Sequence, residues 1–179
     1  MSLYCLDANV FIQAKNGPYA FDILPRFWSW LDEMITAQTI CSSLMVLREL
    51  AEGEDELARW ARDSRDSGFF VSPSREVQST LAEISAYVVS NFEPQHAQTF
   101  LDGADPWVIA QSKVDSSTVV THEGARRFGF KKGQNTEHLR RFRRPLYRPL
   151  RNDEDAGRKV RLTTLPPALE PPSPAPARP

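Results

Sequence analysis

Several features are scarce in this sequence, and each absence excludes a class of protein. The 179 residues include two cysteines, Cys5 and Cys41, which lie in apolar runs without C-x-x-C spacing, so buried reduced thiols are expected rather than a disulfide or a zinc site. The start MSLYCLDANVFI lacks a basic segment followed by a long apolar run. No stretch approaches the roughly 20 apolar residues of a membrane span. We therefore expect a soluble, cytoplasmic protein with no membrane partner.

The charge of the chain is divided unevenly between its two ends. The net charge is -1, but residues 1–125 carry 8 basic and 18 acidic side chains, whereas residues 126–179 carry 14 basic and 5 acidic ones. The second part also holds nine of the 14 prolines and contains no isoleucine or tryptophan. With 41% hydrophobic residues, the length suits one domain with a substantial core. We expect that domain to end near residue 125.

Apolar periodicity predicts strands that alternate with helices. Strands are expected at 3–6, 39–42, 69–72 and 117–121, and helices at 22–37, 44–51, 54–66, 75–91, 94–101 and 105–114. Asp22 is the expected cap of the helix at 22–37, and the tryptophans of that helix are expected in the core. Alternation of this kind predicts an α/β fold with a parallel sheet, which binds ligands at the carboxyl ends of its strands.

Four acidic residues fall at comparable places in this predicted fold. Asp7 follows the first strand, Glu49 lies on an early helix, Asp105 begins a helix, and Glu123 follows a late strand. Each acid also has an ordinary structural explanation, since Asp105 can cap its helix and Glu49 can be a solvated charge. Clustered carboxylates repel one another unless a divalent cation compensates them, and carboxylate oxygens suit Mg²⁺ or Mn²⁺. Such a cluster indicates phosphate chemistry.

The sequence motifs that contain these acids resemble those of the PIN-domain ribonuclease family. The strings LDANVFIQAK (residues 6–15), LREL (47–50), ADPWVIA (104–110) and VVTHE (119–123) occur in that order. The opening is similar to a PIN-like branch that begins LDxNVFIQAK and is related to the VapC toxin nucleases. The resemblance covers roughly residues 3–125. It differs in one place, because Glu123 stands where the family motif has aspartate.

The resemblance implies a role for each matching residue. Asp7, Glu49, Asp105 and Glu123 would be the catalytic, metal-holding carboxylates, whereas Asn9 and Thr121 would support them. The implied cofactor is Mg²⁺ or Mn²⁺, and the implied activity is endonucleolytic hydrolysis of RNA phosphodiester bonds by a water molecule. Further implications are the toxin role in a toxin-antitoxin pair, a cognate antitoxin as protein partner, and a homodimer. Lys15, expected in a loop, would help to position the RNA backbone, with a merely solvated loop lysine as the alternative.

The implied fold is a PIN-like three-layer sandwich, with a central parallel sheet flanked by helices and with its last strand missing. We divide the chain into a PIN-like domain at 1–125, an atypical basic segment at 126–161 and a Pro-rich, disordered tail at 162–179. A one-base shift in codons allowed for residues 133–140 gives V-K-I-P-N-I-C, which is similar to the segment that follows in the PIN-like branch. We interpret residues 126–161 as a frameshift product. A native basic extension that binds RNA is the alternative.

Two other functions compete with the nuclease interpretation. A catalytically impaired PIN-like protein would act as a nucleic-acid-binding or partner-binding module, through its scaffold or its arginine-rich segment. A Mg²⁺-dependent phosphatase on a similar sheet would need an aspartate nucleophile followed by D-x-D, and Asp7-Ala8-Asn9 does not supply the second acid. The four acids favour the nuclease over both alternatives.

Overall fold

A parallel sheet flanked by helices forms the core of the protein. The computed structural model describes residues 3–121, together with the backbone of 144–145 and 161–163. Its strands are β1 (Tyr4–Leu6), β2 (Ile40–Ser43), β3 (Phe70–Val71), β4 (Thr118–Val120), β5 (Arg144–Pro145) and β6 (Arg161–Thr163). Its α-helices are α1 (Ala8–Asn16), α2 (Pro25–Thr36), α3 (Leu44–Ala51), α4 (Glu56–Asp63), α5 (Arg75–Asn91), α6 (Pro94–Asp102) and α7 (Asp105–Asp115). This architecture confirms the predicted α/β class.

The first strand lies inside the sheet, between β2 and β4. The strand order is β3-β2-β1-β4-β6-β5, and every pair is parallel. Cys5 is the register partner of both Cys41 on β2 and Val119 on β4. Because β1 is enclosed on both sides, Cys5 and Leu6 are almost fully buried, whereas Tyr4 at its start is partly buried.

The sheet continues beyond β4, where the sequence analysis expected its last strand to be missing. The strand β6 pairs with β4 so that Val119 is opposite Leu162, and β5 pairs with β6. Pairing of this kind satisfies backbone groups of β4 that would otherwise form an open edge. The remainder of the basic segment, at 126–143 and 146–160, and the tail at 164–179 lie outside the described residues.

Aromatic side chains fill the core beside β1, β2 and β3. The ring of Phe11 on α1 contacts both Trp60 and Phe69, and Trp28 packs edge-on against Trp60. The indole of Trp28 is buried and donates to the carbonyl of Tyr19 at 2.8 Å. Trp28 thus belongs to the core as expected, whereas Trp30 is partly buried and packs against the core.

Three local expectations were wrong, and each has a physical reason. The helix α1 was not predicted, because after the polar Asp7 and Asn9 its apolar stretch at 10–12 is short, and so short a stretch does not distinguish a helix from a strand. The helix α2 begins at Pro25 rather than at Asp22, since proline suits the first turn of a helix. Lys15 lies in the last turn of α1 and pairs with Asp55, so it is not a loop residue.

Both cysteines are free and buried, as expected. The pKa of the Cys41 thiol is raised above its ordinary value, first by its hydrogen bond with Cys5 and then by burial. Within the described part of the chain, no helix has the length and apolar character needed to cross a bilayer.

Candidate active site

Asp7 is the centre of the candidate site. It follows β1 directly and is the N-cap of α1, with extended backbone angles and a side chain that accepts from the amide of Ala8 at 2.7 Å. Its side chain is only 5% exposed, which is unusual for a carboxylate. The position after an enclosed strand therefore fixes a buried carboxylate at the carboxyl edge of the sheet.

Two predicted supporting residues contact the second oxygen of this carboxylate. Thr121, immediately after β4, donates its hydroxyl to Asp7 Oδ2 at 2.8 Å. The Asn9 amide nitrogen donates to the same oxygen at a longer 3.4 Å. Because β1 and β4 are parallel neighbours, their carboxyl ends bring Asp7 and Thr121 together. Asn9 and Thr121 thus both donate to Asp7 Oδ2.

The carboxylate of Asp7 keeps room for a further ligand. Among the described residues, Oδ1 accepts one hydrogen bond and Oδ2 accepts two, and a carboxylate oxygen can accept about two. All three donors are neutral. Within residues 3–121, the ion pairs are Lys15 with Asp55 and Lys113 with Glu83, so no basic side chain neutralises Asp7 there. A buried carboxylate without a cationic partner is costly and favours binding of a cation.

Asp105 is brought to the same edge of the sheet by the direction of α7. It is the first residue of this helix and is half-buried, whereas the preceding residue makes no side-chain cap. The helix packs against β1, β2 and β4, and its C-terminus leads through a left-handed Ser116 directly into the start of β4. The helix therefore runs antiparallel to the strands. Its N-terminus, with Asp105, lies toward their carboxyl ends.

Glu49 is farther along its helix than the other described acids. The helix α3 starts at the carboxyl end of β2, where Ser43 caps it by accepting from the amide of Met45. Glu49 is exposed and lies five residues beyond Leu44, about 7.5 Å along the helix axis. It does not belong to the hydrogen-bonded set around Asp7. The fourth predicted acid, Glu123, lies outside the described residues.

The described acids do not form a complete metal site by themselves. Within residues 3–121, no group of three or more His, Cys, Asp or Glu side chains is arranged to hold a metal ion. Mg²⁺ does not need such a group, because it commonly uses one or two carboxylates and takes its remaining ligands from water and substrate phosphates. The buried, incompletely ligated Asp7 fits that kind of site.

Helix N-termini add a positive potential to this acidic edge. The helices α1 and α3 begin directly after β1 and β2, and α7 begins at the same side of the sheet. Each N-terminus carries partial positive charge and unpaired backbone amides that favour anions. The Asp7 carboxylate would attract a cation at this edge, and the helix N-termini would attract an anion such as a phosphate.

Two serines at this edge were not predicted from the sequence. Ser42 and Ser43 are both buried, and Ser42 donates its hydroxyl to the carbonyl of Leu6 at 2.7 Å. The signal for Ser43 is available in the sequence, because serine before an amphipathic helix is a common N-cap. No comparable local signal identifies Ser42, since its partner lies 36 residues earlier in the chain.

The sequence of the chain matches a known protein family. Residues 4–135 match the family described as a domain of unknown function (DUF4411). The chain belongs to this family. The matched region contains all four predicted acids, from Asp7 to Glu123. The family assignment therefore covers the whole candidate site.

One solved structure is similar to this DUF4411 member. It is described as "Crystal Structure of FitAcB from Neisseria gonorrhoeae", with 21% sequence identity and a TM-score of 0.43. The alignment covers 68% of this chain and 88% of that chain. No curated protein is significantly similar in sequence.

Proposed function

We propose that the protein is a Mg²⁺- or Mn²⁺-dependent endoribonuclease, which hydrolyses RNA phosphodiester bonds at the carboxyl edge of β1 and β4. The observation that carries the proposal is the buried carboxylate of Asp7. It is held by neutral donors, keeps capacity for a ligand, and has no basic partner within residues 3–121. The resemblance of the motifs at 6–15, 104–110 and 119–123 to PIN-domain ribonucleases supports the choice of RNA as substrate.

The residues of this chain would share the work in a defined way. Asp7 and Asp105 would hold the cation, with Glu49 and Glu123 as further carboxylates of the site. When bound, the cation would lower the pKa of a water ligand and stabilise negative charge on the phosphate. Asn9 and Thr121 would keep the Asp7 carboxylate oriented by donating to Oδ2. No side-chain nucleophile is required.

The biological role that we infer from the same motif resemblance is that of a toxin in a toxin-antitoxin pair. A cognate antitoxin protein would then be the regulatory partner, and a homodimer would be the assembly. The acidic charge of residues 1–125 is unfavourable for RNA, which usually binds Lys and Arg. A bound cation reduces this repulsion at the site, and a basic partner or the basic segment at 126–161 would reduce it elsewhere.

The decisive experiment combines RNA cleavage with direct measurement of metal binding. Asp7→Asn and Asp105→Asn should each lower Mn²⁺-dependent cleavage of single-stranded RNA to about one hundredth or less, because the amide keeps the size of the side chain and loses its charge. Asp102→Asn is the matched control, since Asp102 is an exposed acid three residues before Asp105. Calorimetric titration with Mn²⁺ should show binding to the control and not to Asp7→Asn.

The result also decides between the nuclease and the catalytically impaired alternative. RNA that binds without being cleaved, together with no Mn²⁺ uptake by the unsubstituted chain, would support a binding module instead. Cleavage that survives both Asp7→Asn and Asp105→Asn would reject the assigned site. We expect substitution of Glu123 to cost less activity than substitution of Asp7, because Glu123 departs from the family motif.

A further inference from the structure

The peptide bond that joins Leu6 to Asp7 is held from both sides of β1. On the β4 side, the Asp7 amide donates to the carbonyl of Val120 at 3.0 Å. On the β2 side, the Leu6 carbonyl accepts from the hydroxyl of Ser42 at 2.7 Å. The carbonyl and the amide belong to one planar peptide unit. Both of its polar groups are therefore fixed, and with them the direction in which the Asp7 side chain leaves the backbone.

The bond from Ser42 lies where the regular pairing of β1 with β2 stops. The last register pair of these strands is Cys5 with Cys41, whereas Ser42 already pairs with β3 and donates its amide to the carbonyl of Phe69. One residue beyond the ladder, a side-chain hydroxyl bonds to β1. Ser42 thus connects the strands at the edge where Asp7 enters the site.

The burial of Ser42 is itself informative. Its exposed fraction is 0%, in a strand whose neighbours Ile40 and Cys41 are apolar. Burying a hydroxyl is unfavourable unless it forms a hydrogen bond, and an apolar residue would fill the position at lower cost if packing alone mattered. The hydroxyl is therefore best explained by its single described acceptor, the Leu6 carbonyl.

We propose that Ser42 is a positioning residue for Asp7, acting through the Leu6–Asp7 peptide. The inference rests on the proposed function, because Asp7 is the carboxylate that would hold the cation. Ser42 does not contact the Asp7 side chain. It orders the peptide from which the carboxylate extends, and Thr121 then fixes the carboxylate itself.

The test compares Ser42→Ala with Ser112→Ala. Ser112 is also 0% exposed, and its hydroxyl makes no hydrogen bond with the described residues, so the control removes a buried hydroxyl without removing a bond. After correction for the global unfolding free energy, Ser42→Ala should speed hydrogen exchange of the Asp7 and Ala8 amides about tenfold relative to the control. It should also lower kcat for Mn²⁺-dependent RNA cleavage about ten- to hundredfold with little change in KM.

Two conservative variants keep the proposal falsifiable if Ser42→Ala does not fold. Ser42→Thr retains the hydroxyl and should restore slow amide exchange and most of kcat, whereas Ser42→Cys keeps the size with a weak donor and should not. If exchange and kcat in Ser42→Ala equal those in Ser112→Ala, or if Ser42→Cys behaves as Ser42→Thr does, the positioning role is rejected.

Failure of the proposed function gives a different pattern. An unsubstituted chain that cleaves no RNA and takes up no Mn²⁺ overturns the nuclease, and amide exchange alone then decides whether Ser42 orders Asp7. If exchange increases while kcat of an active chain is unchanged, Ser42 stabilises the end of the sheet and has no positioning role in catalysis.

Discussion

Thr121 and Asp7 are joined by a 2.8 Å hydrogen bond although 114 positions separate them in the chain. The bond links the residue after β4 to the residue after β1, and it leaves Oδ1 of Asp7 to cap α1. One carboxylate therefore connects two strands and a helix at the candidate site. Its orientation depends on all three.

The first prediction concerns this bond. Thr121→Val keeps the shape of the side chain but removes the donor, so the carboxylate is less firmly oriented. We expect kcat for Mn²⁺-dependent cleavage to fall about ten- to hundredfold, and the unfolding free energy to fall by about 1 kcal/mol. Thr121→Ser retains the donor and should keep most of the activity. Equal activity in the Val and Ser variants would show that the bond is dispensable.

The second prediction concerns the pair formed by Lys15 and Asp55. Asp55 caps α4 by accepting from the amide of Ala58 at 2.9 Å, and it accepts from Lys15 at the end of α1. Asp55→Ala loses both bonds and should lower the unfolding free energy by about 1 kcal/mol. Asp55→Asn retains the cap and should cost about half as much, because exposed ion pairs contribute little. Chemical denaturation of the two variants measures the difference.

The same pair gives a pH dependence with a defined sign. The Lys15 hydrogen bond, followed by the Ala58 amide, holds the pKa of Asp55 below its ordinary value of 3.8. A lowered folded pKa stabilises the protein above pH 3.8, and this contribution is lost as the pH falls below that value. Asp55→Asn should therefore have a shallower loss of stability in acid. If the unfolding free energy of the unsubstituted chain and that of Asp55→Asn fell equally steeply with decreasing pH in acid, this prediction would be contradicted.

The third prediction concerns the thiols of Cys5 and Cys41. The hydrogen bond between them and their burial raise the pKa of Cys41 above the ordinary value of 9.0. Below pH 9.0 the Cys41 thiol is protonated in both the folded and the unfolded chain, so the unfolding free energy does not depend on it. Above pH 9.0 the unfolded chain loses this proton while the folded chain keeps it. Stability should therefore fall there by up to about 1.4 kcal/mol per pH unit. Cys41→Ala should lack this part of the alkaline slope.

Alkylation of the native chain provides an independent check of these thiols. Burial suppresses formation of the reactive thiolate at both cysteines, and the raised pKa of Cys41 adds to this effect at that residue. Iodoacetamide at pH 8 should modify the two cysteines much faster in denaturant than in the native protein. Rapid modification of the native chain at Cys41 would show that the strand interior is accessible.

The fourth prediction concerns the strands beyond β4. A chain that ends at Thr163 retains β5 and β6 and should melt within about 2 °C of the full chain, whereas one that ends at Thr121 loses both and exposes the edge of β4. The latter should have a melting temperature several degrees lower, because each kcal/mol of lost unfolding free energy lowers the melting temperature by about 2–4 °C in a chain of this size.

The frameshift interpretation predicts a different effect of these truncations on the melting temperature. If residues 126–161 are a frameshift product, their removal should cost little, and removing one base near the codons for residues 124–132 should raise the melting temperature. Equal melting of both truncated chains would therefore favour the frameshift over the β6 pairing. Sequencing of the coding DNA around residue 130 provides a direct check.

Local signals predicted the elements that local interactions determine. The helix α3 has its predicted bounds because Ser43 caps it and its apolar face begins at Leu44. Asp105 lies in the first turn of α7 as its neighbour Pro106 indicates. By contrast, α1 was missed because its apolar stretch at 10–12 is short, although both Val10 and Phe11 are buried. Hydrophobicity alone does not separate a strand from the helix that follows it.

The candidate site was predictable where strand ends determine it. Asp7 and Thr121 come together because β1 and β4 are adjacent and parallel, and the βα alternation anticipates their parallel direction. Asn9 lies two residues beyond Asp7, at the start of α1. The bond between Ser42 and Leu6 was not predictable, since it depends on the place where β2 turns from β1 toward β3. Contacts of this kind depend on which strands are neighbours in the folded sheet, and no periodic pattern in the sequence indicates them.

The inner position of β1 has a consequence for synthesis of the chain. The ribosome makes this strand before its neighbour β4, which is not made until residues 118–120. At about 5–20 residues per second, the interval between Asp7 and Thr121 lasts roughly 6 to 23 seconds. Throughout that interval the carboxylate lacks its Thr121 donor and the sheet lacks its centre. If the proposed function is right, the nuclease would stay incomplete until most of its own messenger RNA has been read.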